Sequence, residues 1–94
     1  MNEFSKSEYK EEDLLLRQSL VALKDLIEEG RELEFEVNGL SCFLSRHETS
    51  RRYSLWIGSS EQAFPSLEEL FHSARIGETA FSECWPRARI ITLF

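Results

Sequence analysis

The chain has only four glycines, two prolines and two cysteines in 94 residues. So few glycines leave no room for a glycine-rich phosphate loop or a nucleophile elbow, and little of the loop on which active sites are usually built. Cys42 and Cys84 are too few for a disulfide framework, and one bridge is out of place in a charged chain with no sign of secretion. Glu3, Glu8, Glu11, Glu12 and Asp13 interrupt the first twenty residues, so no apolar leader core is found there. The longest apolar runs, Leu14 to Leu16 and Leu20 to Leu23, fall far short of a bilayer span. An excess of positive charge is missing too. The formal net charge is −6, with eleven acids against five bases in residues 1–36 and six of each in 37–94. Nucleic-acid affinity comes from neutralising phosphates, so direct DNA or RNA binding is disfavoured. Together these absences predict a cytoplasmic, reduced protein that needs no membrane and no cofactor.

What is present suffices for one core. Apolar residues make up 41% of the chain, including seven Phe, two Trp and two Tyr. That predicts a single α+β domain over 1–94. Ser5 with Glu8 has the spacing of a capping box, and Phe4 with Tyr9 that of a hydrophobic staple. Leu16, Leu20, Leu23 and Ile27 then recur at helical spacing up to Gly30, predicting one long amphipathic helix over about 6–29. Leu14 and Val21 fall off that stripe.

Leu33, Phe35 and Val37 alternate with Glu32, Glu34 and Glu36, and Asn38-Gly39 offers a type I′ turn. Folding on that turn sets Val37 opposite Leu40, Phe35 opposite Cys42 and Leu33 opposite Leu44, all on one face. Tyr53 to Ile57 reads as a third strand, and 58–63 as a loop. Ser66 with Glu69 caps a short helix ending at Gly77, and a second short helix carries Phe81, Cys84 and Trp85 up to Pro86. Residues 88–94 read as a last strand that must join an existing edge. The expected fold is thus an N-terminal amphipathic helix, a three-stranded antiparallel meander, two short helices and a C-terminal strand joining the sheet.

Several of these residues carry a resemblance. Glu34-Phe35-x-Val37-x-Gly39, the aromatic strand with Trp56, Ser66-Leu67-Glu68-Glu69-Leu70-Phe71 and Ile76-Gly77-Glu78-x-x-Phe81-x-x-x-Trp85 resemble small uncharacterised proteins of Gram-positive bacteria. The likeness covers about residues 31–94 and rests on fold-determining positions. It implies no activity.

Chemistry-bearing clusters are sparse. Cys42, His47, His72 and Cys84 lack the close pairing of zinc ligands, so no metal is expected. Cys84, between Glu83 and Trp85, lacks the electropositive setting of a nucleophile. The pairs Glu11-Glu12, Glu28-Glu29 and Glu68-Glu69 sit on polar helix faces, where acids are solvated. Arg46, Arg51 and Arg52 form a locally basic connection that could grip an anion, although a solvated hairpin tip is polar in any case and is the simpler reading. The ladder Glu32, Glu34, Glu36 serves either to protect an edge strand or to dock a basic partner. Phe43 falls on the same outward face. With Leu44 set opposite Tyr53, Trp56 joins it diagonally, unless the Phe81/Trp85 segment crosses over and covers that face.

These residues predict a non-catalytic protein-binding or accessory protein, of immunity or inhibitor type, that acts through Glu32, Glu34, Glu36, Phe43 and Trp56. Its expected partner is another protein of basic character, and a homodimer is compatible with the same surface. Two alternatives stay open. One is a small enzyme with a pocket around His47 or His72. The other is a nucleic-acid-associated accessory protein using Arg46, Arg51 and Arg52.

Overall fold

Asn38 and Gly39, both left-handed at φ 54° and 76°, turn the chain tightly between β1 (Leu33–Val37) and β2 (Leu40–Arg46). The resulting register is the expected one, Val37 opposite Leu40, Phe35 opposite Cys42 and Leu33 opposite Leu44. A computed structural model describes residues 6–94. The Ser5 capping box and the Phe4 staple lie outside the described residues.

The protein is α+β, with the first three strands in an antiparallel meander. After β2 come β3 (Tyr53–Ile57) and β4 (Ser60–Phe64), while β7 (Arg89–Leu93) returns to pair with β1, giving the order β4-β3-β2-β1-β7. Three expectations change here. Residues 60–64 form a strand and not a loop, because Gly58 (φ 59°) with Ser59 makes a second two-residue hairpin turn. Leu44 faces Leu55 and not Tyr53, so Trp56 lies directly opposite Phe43. Strand β1 is interior, flanked by β2 and β7, so its glutamates protect no edge.

The expected single N-terminal helix is two, α1 (Lys6–Arg17) and α2 (Leu20–Glu28). Gln18 adopts φ 52° between them, and the Ser19 hydroxyl accepts from the Ala22 amide to start α2. Trp85 holds the break. Its indole donates to the Gln18 carbonyl at 2.7 Å, and the Gln18 side-chain amide donates to the Trp85 carbonyl at 3.0 Å. The interruption changes the phase of the apolar stripe: Leu16 is 71% exposed, whereas Leu14, expected off the stripe, is fully buried. Val21 is exposed as expected. At the far end Gly30 donates to the Ile27 carbonyl and Arg31 to the Leu26 carbonyl, a Schellman stop.

Helix α3 (Leu67–Ser73) starts where the Ser66 hydroxyl accepts from the Glu69 amide. It ends before Gly77, which instead turns a small hairpin of β5 (Arg75–Ile76) and β6 (Thr79–Ala80). A single-turn helix α4 (Phe81–Cys84) and a 3-10 turn at Trp85–Arg87 lead into β7. Leu23, Leu26, Ile27, Leu67, Leu70, Phe81 and Trp85 pack with Leu33, Phe35, Leu44 and Leu55 in one core. Phe35 meets Phe81 and Trp85 edge-on, and Phe81 stacks on both Trp85 and Phe71. The Phe81/Trp85 segment therefore fills the inner face and does not cover the outer one. The molecule is 20 Å across its shortest axis, the depth of one sheet and one helix layer. Among the described residues, no helix lies on the outer face.

Candidate functional site

Strand alternation decides what that uncovered face carries. One cross-strand row runs Glu61 (β4), Trp56 (β3), Phe43 (β2), Glu34 (β1), Thr92 (β7). Two aromatic rings thus stand side by side between two carboxylates. Phe43 and Trp56 are half-buried, and the Phe94 ring meets Phe43 at 5.8 Å and 64°. Phe94 is held by its amide, which donates to the Glu32 carbonyl at 2.8 Å, and by Arg31, whose guanidinium donates to its carbonyl. A shallow cleft of about 130 Å³ opens between Glu34, Ser41, Phe43, Trp56 and Gly58.

The three glutamates of the expected ladder have different surroundings. Glu36 accepts from Arg89 on β7 at 2.9 Å. Glu34 has no ion-pair or hydrogen-bond partner through its carboxylate among the described residues. Glu32 precedes β1 and contributes its carbonyl to the tether of Phe94. The structure brings Glu34, Phe43 and Trp56 together and sets Glu32 and Glu36 beside them.

The three arginines are not gathered on one ligand. Arg46 stands at the end of the inner face and donates to the Glu28 carbonyl, capping the C-terminus of α2. Arg52 donates to the Ala63 carbonyl at 3.0 Å. Arg51 is exposed and left-handed at φ 56°. Arg87 donates to the Glu83 carbonyl and Arg89 is tied to Glu36, so most of these guanidinium groups are engaged internally.

His47 belongs to a cluster that the sequence reading missed. Its Nε2 lies 3.1 Å from Ser54 Oγ and 3.3 Å from Glu61 Oε2, and the fully buried Ser54 hydroxyl donates to Glu61. A serine–histidine–acid relay uses one ring nitrogen for the serine and the other for the acid. Here both contacts fall on Nε2, and the hydroxyl points to the carboxylate. The arrangement holds a carboxylate; the Ser54 hydrogen bond, with His47 behind it, keeps Glu61 below its ordinary range. His72 is exposed in the last turn of α3. Both cysteines are unpaired and buried, and burial pushes the Cys42 thiol up to about 11, away from the thiolate a nucleophile needs. Among the described residues no three His, Cys, Asp or Glu side chains are placed to hold a metal ion.

A larger open cleft of about 560 Å³ separates Glu11, Leu15 and Gln18 of the first helix and its break from β7. Neither cleft is lined by His47 or His72. No helix among the described residues is long and apolar enough to cross a membrane. Against family models, curated proteins and solved structures, the chain has no match.

Proposed function

We propose that this protein works by binding another protein, a basic one, through the outer face of its sheet. The observation that carries the reading is the cross-strand row in which Trp56 and Phe43 stand together between Glu61 and Glu34, on a face that no helix among the described residues covers. Aromatic anchors rimmed by polar and charged groups are how interfaces concentrate binding energy. A carboxylate left without a partner at their edge favours a partner of opposite sign. An inhibitor or immunity-type protein, which covers a basic surface of its target, is the class that fits. Two buried, unpaired thiols suit a reducing compartment such as the cytoplasm.

The test is the double change Phe43→Ser with Trp56→Ser. Half-buried rings on an uncovered face predict a stability loss of about 1–2 kcal/mol in a urea melt. Emptying a core site would cost about 3–5 kcal/mol. A protein partner captured from the native host by the wild type should bind the folded double variant at least about tenfold more weakly. Undiminished binding by the double variant would move the interface off this face.

A further inference from the structure

We infer that the cleft between Phe43, Trp56 and Glu34 is a receptor for a single arginine side chain of the partner, an inference that rests on the protein-binding reading above. Size gives the first limit. At about 130 Å³ the cleft is well below the roughly 300–1,000 Å³ of small-molecule pockets, so it admits one side chain and not a metabolite. Chemistry gives the second. A tryptophan and a phenylalanine ring in one cleft attract a cation through their ring quadrupoles, tryptophan most strongly. Glu34 supplies a carboxylate at the same cleft with no cation among the described residues to satisfy it.

The neighbouring carboxylates narrow the assignment. Glu61, at the other end of the row, is already engaged by Ser54 and His47, and Glu36 by Arg89. Glu34 alone among these three is available to a ligand. The Arg89–Glu36 pair also shows that this face accommodates a guanidinium across neighbouring strands, 2.9 Å from a carboxylate. Arginine fits better than lysine because its planar group can lie along an aromatic ring while forking its N–H donors to an acid. The exposed Ser41 at the cleft rim offers a hydroxyl oxygen to a remaining N–H.

The full chain, labelled with ¹⁵N, would be titrated with four blocked pentapeptides, Gly-Gly-Xaa-Gly-Gly, where Xaa is arginine, lysine, citrulline or leucine. Citrulline keeps the shape of arginine and removes its charge. The arginine peptide should shift the Trp56 indole N–H and the Glu34 and Phe43 amides, with the citrulline peptide about tenfold weaker and lysine in between. Glu34→Gln should lower arginine affinity to near the citrulline level while the rest of the spectrum stays in place. Equal binding of arginine and citrulline, or no effect of Glu34→Gln, would overturn the receptor. Shifts at these resonances with leucine alone would overturn it too, yet leave the face as a protein-binding surface. If no peptide moves them at several millimolar, the receptor also falls. The wider reading then stands or falls on whether the Phe43/Trp56 double variant loses the captured partner.

Discussion

Ser54 lies on the outer sheet face yet is fully buried, because His47 and Glu61 close over it. Its hydroxyl is the largest of the influences holding Glu61 below the ordinary value of 4.5, ahead of His47 and the Arg52 charge. A depressed carboxylate contributes stability above its unfolded pKa and loses it as the pH falls through the folded value. Ser54→Ala should therefore return the Glu61 midpoint toward 4.5, read from its side-chain carbonyl in a ¹³C NMR titration. An unmoved midpoint would assign the depression to His47 and Arg52 instead. This cluster was illegible in the sequence because it depends on β4 bringing Glu61 across to β3. The positions of Phe43 and Trp56 were legible, since Asn38-Gly39 and strict alternation determine which face each occupies. Their direct pairing was not, because the connection at 47–52 leaves the β2–β3 register open by two residues.

At the level of elements, the first helix shows where periodicity misleads. Leu16, Leu20, Leu23 and Ile27 are spaced for one continuous helix, but that pattern cannot register a left-handed residue at Gln18. The partner that holds the break, Trp85, is 67 residues away, so no local window contains it. Strand β4 was missed for another reason. Gly58-Ser59 is a sound hairpin signal, but Ser60, Glu61, Gln62 and Ala63 lack apolar alternation. Gln62 faces inward and satisfies the main chain of Arg75 instead, accepting from its amide at 2.9 Å and donating to its carbonyl at 2.6 Å. Two substitutions separate what Gln18 contributes. Gln18→Ala keeps the strained φ and removes the side-chain hydrogen bond to Trp85, so it should cost about 1–2 kcal/mol. Gln18→Gly loses the same bond but relieves a left-handed penalty of about 1 kcal/mol, leaving stability near the wild type. Urea midpoints would read the difference, and equal losses in the two variants would mean that the left-handed conformation carries no strain.

On the scale of the whole molecule, charge and core are arranged differently. Both helices of the N-terminal half, α3, α4 and the four strands from β1 to β3 and β7 feed one apolar cluster, so the fold should melt as a unit. Trp85 reports from that core and Trp56 from the outer face. Far-UV circular dichroism and fluorescence should therefore give coincident transitions, and separated midpoints would show that the sheet and helices unfold independently. The charge is lopsided, with the whole −6 arising in residues 1–36. Its acidic strand, β1, runs beside the central strand that carries Phe43 on the outer face. If this field steers a basic partner, association should slow as salt rises, because exposed charges are screened beyond about 3 Å at 1 M. Glu32 and Glu34, whose carboxylates have no partner among the described residues, should then act differently. Glu32 lies outside the cleft, so Glu32→Gln should lower the on-rate by a fewfold at low salt and leave the off-rate alone. Glu34 lines the cleft, so Glu34→Gln should slow association and also speed dissociation. Glu36→Gln should slow association at least as much as Glu32→Gln, since it removes the same charge and leaves the Arg89 cation unpaired on that face, and it should leave the off-rate alone. Stopped-flow or surface-capture kinetics with the isolated partner at two ionic strengths would resolve all three. On-rates that ignore both salt and Glu32→Gln would leave recognition to the aromatic pair alone.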